Sequence, residues 1–304
     1  MKKTWLLAFL VLLAWGCSWP TMKLVLPDIP PLWLASARLG IGTIVLFILL
    51  AFSKQRFWPT RKDLPFLLSV GLVQMGIFTL LIVSGVTQVA AGRSAILVYT
   101  TPLWVTPIAV LLFKEPLSRL TLAGLSLGLV GILTLFNPVA FDWHNHKIIF
   151  GNGLLLIAAW IWSAVILHIR YGKHYSKPLE LAPWQMLLAT ALALIIAIIF
   201  EPKPEIHPSS TLILGLLYLG PFATAFAYWG IIELNRQFQA ISLSLLLLVV
   251  PIIGLLSSFI LVKEPISLNI LLAMALITMG LMLIIYGNKP ARIKKDILES
   301  EKKC

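Results

Sequence analysis

Charged residues are scarce in this sequence, and their scarcity indicates the class of protein. Only 12% of the 304 residues are charged, whereas a soluble domain carries about a quarter. Apolar residues make up 59%, so the polar side chains are too few to cover a surface that faces water. We therefore expect lipid to be the solvent for much of the chain.

Cysteine and clustered metal ligands are also nearly absent. Of the two cysteines, Cys17 lies inside a hydrophobic run and Cys304 at the terminus, so they offer neither a disulfide framework nor a metal motif. Asp142, His144 and His146 alternate in one polar segment, a pattern that seldom converges on a metal without further ligands. We therefore predict no metal and no cofactor.

The remaining ionisable residues argue against enzymatic chemistry. No Asp or Glu lies in the middle of a long hydrophobic run, and the five histidines form no ligand set. We therefore predict that the protein is not an enzyme. A carboxylate relay, usual in proton-driven carriers, has no obvious member here, which favours uniport or facilitated efflux.

The net charge of +12 would suggest nucleic acid for a soluble protein, but in a membrane protein its distribution over the loops matters more. We predict no nucleic-acid partner.

Long hydrophobic runs, by contrast, are abundant. A helix needs about 20 apolar residues to cross the bilayer core, and continuous runs of this length favour helices over the alternating strands of a barrel. Such runs lie at 4–22, 32–52, 64–84, 94–113, 117–136, 148–169, 179–200, 211–232, 240–262 and 266–287. We predict an all-α integral membrane protein with ten transmembrane helices. The first is retained, because no small-residue cleavage motif follows it.

The basic residues predict the orientation of these helices. With the N-terminus in the cytoplasm, most of the 24 Lys and Arg residues fall on the cytoplasmic side, as the positive-inside rule requires. An even number of helices then places both termini in the cytoplasm. We predict a multi-pass protein of the inner (plasma) membrane.

The chain also contains an internal repeat. The segment KEPLS at 114–118 returns as KEPIS at 263–267, and PLWLA at 31–35 matches PLELA at 178–182. Each half holds five predicted helices, an odd number, so the second half is expected to be inverted relative to the first. We predict two inverted five-helix repeats. Their boundaries are 1–137 for the first repeat, 138–150 for a periplasmic loop, 151–287 for the second repeat and 288–304 for a basic cytoplasmic tail.

The repeated Lys-Glu-Pro segments suit the start of a helix. Proline is favoured at the first helical position, and a carboxylate just ahead of it suits the positive helix end. A structural role and a gating role are both open for these residues, which are Glu115, Pro116, Glu264 and Pro265.

Together these motifs resemble the EamA-like members of the drug/metabolite transporter superfamily over nearly the whole chain. The resemblance is carried by Ala14-Trp15-Gly16-x-Ser18-x-Pro20, Pro31-Leu32…Ala37-Arg38, Pro102…Glu115-Pro116 and Pro251…Glu264-Pro265. It implies ten helices in two inverted domains, a central cavity and alternating access. Known members export amino acids and other metabolites, or carry sugars, nucleotide sugars and drugs.

Arg38 is the foremost candidate for substrate binding. It lies inside the second hydrophobic run, where a charge is costly, and its planar guanidinium can bind two oxygens of a carboxylate or phosphate. The alternatives are snorkelling to the interface or pairing with backbone carbonyls. The repeat places Gln185 at the corresponding position of the second half.

Aromatic and polar residues within the runs are the other candidates for lining a cavity. Walls of aromatic rings with a few polar groups suit an amphipathic ligand such as an amino acid. The alternatives are an interfacial aromatic belt for Trp and Tyr and helix–helix pairing for Gln. These candidates are Trp15, Trp19, Gln74, Tyr99, Trp160, Trp162, Gln185, Tyr218, Tyr228 and Ser244.

The function that these features favour is transport of small metabolites, foremost amino acids or related compounds, with export by alternating access. The alternative is a lipid-handling or partner-dependent membrane protein that does not transport, which would have a sealed aliphatic interior. The expected partners are a small-molecule substrate and the lipid bilayer. The oligomeric state is open, since the Gly124-x-x-x-Gly128 face suits close packing within a monomer or across a dimer.

Overall fold

A computed structural model describes residues 2–115, 117–136, 145–173, 175–238, 240–263 and 268–287. Within these ranges every long element is a helix, and no strand is present. The all-helical class predicted from the sequence is confirmed. The helices are α1 (Lys2–Val25), α2 (Pro31–Phe52), α3 (Arg61–Gln88), α4 (Ala91–Val98), α5 (Thr101–Phe113), α6 (Arg119–Phe136), α7 (His146–Tyr171), α8 (Pro178–Phe200), α9 (Ser210–Gln237), α10 (Ala240–Leu246), α11 (Val249–Val262) and α12 (Leu268–Gly287).

Seven helical stretches in the described ranges are long and apolar enough to cross a membrane. Six are the helices α1, α2, α3, α7, α8 and α9, and the seventh is Ser242–Val262, which spans α10 and α11. Shorter apolar helices lie in the fourth, fifth and tenth hydrophobic runs of the sequence, at Trp104–Phe113, Arg119–Thr134 and Leu271–Gly280. The protein is therefore a multi-pass membrane protein with seven candidate spans in these ranges.

The fourth and ninth runs are interrupted at matching points. The first break separates α4 from α5 at Tyr99 and Thr100, just before Pro102, and the second separates α10 from α11 just before Pro251. Proline removes a backbone donor and disfavours the helical conformation of the residue before it. Each proline therefore shortens the continuous helix in its run.

The ends of α5 and α11 also match. Lys114 and Lys263 both have a positive φ, of 54° and 58°, a conformation that residues other than glycine seldom adopt. The N–H of Lys114 donates to Ala109 O, and that of Lys263 donates to Ser258 O. The same local helix ending is thus built twice.

The distribution of apolar and polar side chains is the reverse of that in a soluble protein. Large apolar side chains lie on the outer surface, and polar side chains are buried. Phe52, Phe200 and Ile260 are more than 70% exposed, whereas Gln74 and Gln185 are at most 2% exposed. An apolar exterior of this kind matches lipid. The polar residues that a function would use therefore lie between the helices.

Helices α6 and α12 pack with their backbones in contact. A Cβ added at Gly280 would lie 2.6 Å from Gly124 O, and one added at Gly131 would lie 2.7 Å from the side chain of Ile277. Small residues permit such an approach in membranes. The face that contains Gly124 and Gly128 is therefore used within the chain.

Two π-helical segments shape the helices that surround the interior. They cover Leu67–Ile77 in α3 and Pro221–Phe226 in α9. The wider turn of a π-helix changes which side chains face inward and is frequent at functional sites. The segment in α9 presents Ala223 O and Thr224 to the side chains of α1 and α2.

Candidate binding cavity between the helices

A cavity lies where α1, α2, α3, α4, α7 and α9 meet, and its empty volume is about 430 Å³, its open part included. Six of the residues predicted from the sequence line it: Arg38, Trp15, Trp19, Tyr99, Trp162 and Tyr228. The other lining residues are Ser18, Met22, Phe78, Ile82 and Val98.

Arg38 enters the cavity from α2 and is only 3% exposed. Its Nε donates to Thr224 Oγ1 at 2.9 Å, and its NH1 lies 3.1 Å from the sulfur of Met22. Burial and these contacts rule out snorkelling. The cavity lining, all of it within the described residues, contains no carboxylate. A buried charge is costly without an opposite charge, so an acidic group on a ligand would complete this site.

Trp15, Trp162 and Tyr228 form one aromatic wall of the cavity. The Trp15 ring lies 5.2 Å from Trp162 and 5.9 Å from Tyr228, in edge-to-face arrangements, as aromatic pairs prefer. Trp15 Nε1 donates to Ala223 O at 3.1 Å, which fixes the indole against the π segment of α9. The hydroxyl of Tyr228 is paired with Thr79 Oγ1 at 3.2 Å. These two hydrogen bonds fix the positions of the Trp15 and Tyr228 side chains in the wall.

Trp162 differs from Trp15 in its hydrogen bonding. The side chain is 3% exposed and packs 4.7 Å from the ring of Phe78. Its Nε1 is buried and has no hydrogen-bond partner among the described residues. Buried donors are nearly always paired, so the unpaired indole N–H of a residue that lines the cavity is a candidate ligand contact.

Trp19 and Tyr99 form a second aromatic pair in the cavity lining, with ring centroids 6.4 Å apart. Tyr99 stands at the break between α4 and α5. At this break the side chain of Tyr99 is directed into the cavity. In a continuous helix the residue at this position would face a different direction.

Ala159-Trp160 in the second half matches Ala14-Trp15 in the first, which predicts equivalent positions for the two tryptophans, and the structure corrects this prediction. Trp160 is 57% exposed on the outer side of α7, whereas Trp162 lines the cavity. Two residues along an α-helix differ by roughly 200° in direction, so only one of the two rings can face inward.

Four other predicted residues lie outside the cavity lining. Gln185 is buried, and its Nε2 donates to Phe66 O at 3.1 Å. Gln74 is buried in the π segment of α3, and Ser244 is buried in α10. Tyr218 is partly buried and donates its hydroxyl proton to Ala14 O at 2.7 Å. The hydrogen bonds of Gln185 and Tyr218 each join two helices.

Some lining and supporting residues could not be identified from the sequence. Met22, Phe78, Ile82 and Val98 are ordinary residues of a hydrophobic run and gave no signal. Thr224, which accepts from Arg38, is equally inconspicuous, although Pro221 indicates an irregular helix nearby.

Glu115 contacts a different helix from the one that its sequence position suggested. Its carboxylate accepts from the hydroxyl of Tyr171 and from the N–H of Ala240 at 2.9 Å. Ala240 is the first residue of α10, and a carboxylate at a helix N-terminus is stabilising. Glu115 thereby connects the two halves. The other three residues of the predicted structural or gating set, Pro116, Glu264 and Pro265, lie outside the described residues.

Two aspartates tie the halves together at opposite ends of α2. Asp63, after α2, accepts from Ser176 Oγ at 2.6 Å and from Tyr175 N at 3.0 Å. Asp28, before α2, accepts from Ser209 Oγ at 2.6 Å, and its carbonyl accepts from His207 N at 2.9 Å. We call these contacts the Asp63 latch and the Asp28 latch.

Glu201 anchors the start of the helix that carries Arg38. Its Oε2 accepts from Leu32 N at 3.1 Å, and its carbonyl accepts from Trp33 Nε1 at 2.9 Å. Burial raises the pKa of the Glu201 carboxyl, while the N–H contacts from α2 act in the opposite direction. The first turn of α2 is therefore joined to the end of α8.

The described residues contain no group of three or more His, Cys, Asp or Glu side chains placed to hold a metal ion. The sequence pattern at Asp142, His144 and His146 falls mostly outside them, because residues 137–144 are not described.

Comparison with known protein families and with individual proteins identifies transporters in both cases. The sequence profile of the EamA-like transporter family matches residues 2–137 and again residues 149–286. The chain is 29% identical to the uncharacterized transporter YoaV of Bacillus subtilis, over 92% of this chain and 96% of YoaV.

Two further relatives are each named "Probable amino-acid metabolite efflux pump". The protein from Salmonella typhimurium is 29% identical over 96% of this chain and 97% of its own length. The one from Escherichia coli is 28% identical over 94% and 96%. A solved crystal structure with 20% sequence identity has a TM-score of 0.74 and covers 96% of this chain and 99% of its own, so it shares the fold.

Proposed function

Because the chain belongs to the EamA-like transporter family, we propose that it exports amino acids or related small metabolites by alternating access. The observation that carries this proposal is the cavity itself, in which a buried guanidinium without an acidic partner in the lining is enclosed by aromatic rings. Such a site suits a small amphipathic molecule with an acidic group. The names of the two efflux-pump relatives favour amino-acid metabolites as the substrate class.

We propose that the architecture is ten transmembrane helices in two inverted five-helix repeats, with the boundaries predicted from the sequence. The two matches of the family profile support this division. So do the paired features of each half: the breaks before Pro102 and Pro251 and the helix endings at Lys114 and Lys263.

The packing of the helices supports the same proposal. Helix α1 packs on α11, and its counterpart α7 packs on α4 and α5. Likewise the π segment of α3 packs on α8, while that of α9 packs on α2. Each contact has a partner when the halves are exchanged, as an inverted repeat requires.

The two latches give the alternating-access proposal a physical form. Both are closed in this structure, and the residues around the cavity are largely buried between them. Rocking of one half against the other would break one latch while keeping the other, and so expose Arg38 to one side of the membrane at a time. By the positive-inside rule we assign the Asp63 latch and both termini to the cytoplasmic side.

The main alternative is a lipid-handling or partner-dependent protein that does not transport. It requires a sealed aliphatic interior where the halves meet. The interior instead contains an arginine, three tryptophans and two tyrosines around empty space, which favours transport.

The proposal is tested by counterflow in proteoliposomes with labelled amino acids, sugars and nucleotides and no imposed gradient. We expect exchange of an acidic or zwitterionic class, abolished in Arg38→Ala. The matched control is Arg119→Ala, because Arg119 is exposed at the start of α6. Absence of exchange for every compound, with the protein folded, would favour the alternative.

The direction of transport needs a cellular measurement. Cells that are preloaded with the exchanged compound should release it faster when they express the wild-type chain than when they express Arg38→Ala. Equal release would contradict export.

A further inference from the structure

We infer that the cavity selects organic acids that present only hydrogen-bond acceptors, such as keto acids and N-acyl amino acids, over zwitterionic amino acids. The carboxylate would bind Arg38, and a keto or acyl carbonyl would accept from Trp162 Nε1. This inference rests on the proposed transport function and narrows its substrate class.

The cavity offers one cationic group. The guanidinium of Arg38 is held by the neutral partners Thr224 and Met22, and it retains N–H donors beyond those two contacts. A carboxylate matches this fork in charge and geometry. One ionised acidic group on the substrate therefore neutralises the site.

Trp162 offers a second, neutral donor. Its buried Nε1 has no partner among the described residues, whereas the indole N–H of Trp15 is already bonded to Ala223 O. An unpaired buried donor is unfavourable and becomes favourable when a ligand supplies an acceptor. A carbonyl next to the carboxylate is the simplest group that does so.

An ammonium group has no matching partner in the same lining. The residues around the cavity, all within the described ranges, include no Asp or Glu. The ammonium could contact only aromatic ring faces and neutral hydroxyls such as that of Ser18. It would also lie close to the positive charge of Arg38. Cation–π contacts compensate only part of the lost hydration. The zwitterion therefore binds less well than the keto acid with the same side chain.

The first test compares leucine with α-ketoisocaproate, its keto acid, in the same counterflow assay, with protein-free liposomes for background. We expect the keto acid to exchange at least about tenfold faster, because the ammonium loses its hydration without gaining an ionic partner. Phenylalanine and phenylpyruvate form a second pair with an aromatic side chain.

The second test assigns the carbonyl contact to Trp162. Trp162→Phe keeps an aromatic ring and removes the five-membered part of the indole together with its N–H donor. By isothermal titration in detergent, this variant should bind α-ketoisocaproate about three- to tenfold more weakly, the effect of one hydrogen bond. Its affinity for isocaproate, which lacks the keto oxygen, should fall less, because that acid loses ring contact but no hydrogen bond. Trp5→Phe is the matched control, since Trp5 is 48% exposed near the start of α1.

The outcomes separate this inference from the proposed function. Exchange of leucine as fast as its keto acid would overturn the inference and leave transport of amino acids standing. An equal loss of affinity for both acids in Trp162→Phe would overturn the donor role of the indole. If none of the four compounds exchanged with folded protein, the inference and transport of this substrate class would fail together.

Discussion

Arg38 is held in the fold at a cost in stability. Its guanidinium is 3% exposed, and its hydrogen-bond partners among the described residues are neutral. Replacement of a buried charge by an apolar side chain of similar volume is often neutral or stabilising. Residues that reduce stability and persist in a cavity are typical of binding sites.

We therefore predict that Arg38→Met keeps or raises the midpoint of thermal unfolding in detergent while transport is lost. The stability change should be between zero and roughly 4 kcal/mol in favour of the variant. A clear fall in the midpoint would show that Arg38 has a mainly structural role.

Most of the cavity could be predicted at the level of residues because a charge or an aromatic ring in a hydrophobic run is conspicuous. Arg38, Trp15 and Tyr99 are examples, and each lines the cavity. The face of a helix was harder to predict. Lipid and protein interior are both apolar, so hydrophobicity does not distinguish the side of Trp160 from that of Trp162.

At the level of helices, the packing of α6 on α12 depends on the absence of side chains. Gly280 faces Gly124 and Gly128 so closely that an added Cβ would lie 2.6 Å from a carbonyl oxygen. The backbone cannot yield as a flexible side chain can. Adding a single methyl group at Gly280 must therefore push the two helices apart.

Gly280→Ala should lower the free energy of unfolding by about 1–3 kcal/mol, the usual effect of overpacking. Gly153→Ala in α7 is the matched control, because an added Cβ there meets nothing within 4 Å. The control should be unchanged or gain up to about 1 kcal/mol from helix propensity. Equal thermal midpoints for the two variants would contradict the packing argument.

Helix breaks and π segments differ in how far the sequence accounts for them. The lost N–H of proline accounts for the breaks before Pro102 and Pro251 but does not predict them, because Pro20, Pro107 and Pro183 lie inside unbroken helices. The π segment at Leu67–Ile77 contains no proline, and its wider turns depend on what packs against it. Gly71 in that segment sits against the backbone of Gln185, a tertiary contact that a single sequence does not reveal.

At the level of the whole molecule, the two latches form the same type of bond with the residue types exchanged. At one end the aspartate lies in the first turn of α3 and the serine precedes α8. At the other end the serine precedes α9 and the aspartate precedes α2. Sequence comparison of the halves could not detect this, because Asp is matched with Ser and Ser with Asp.

The latches predict opposite changes in access to the cavity. Asp63→Ala should increase labelling of Ser18→Cys by an impermeant thiol reagent added from the Asp63 side, and Asp28→Ala should increase labelling from the other side. The background is Cys17→Ser with Cys304→Ser, measured in right-side-out and inverted vesicles. Ser18 lines the cavity.

Ser53→Ala is a control near the Asp63 end that leaves Asp63, Ser176 and the hydrogen bonds of both in place, because within the described part of the chain the Ser53 hydroxyl contacts only Leu50 O and Gln55 N. It should leave labelling close to that of the parent from both sides. A shift in the same direction for Asp63→Ala and Asp28→Ala would contradict the latch assignment.

Both latch aspartates belong to the first half of the chain, and both serines to the second. An ancestral homodimer assembled from two copies of the first half would place carboxylate against carboxylate at each end, and a second arginine where Gln185 now stands. Like charges so close repel. The two halves are therefore complementary at the latches: a second copy of the first half would bring like charges together, and a second copy of the second half would leave two serines facing each other without a carboxylate.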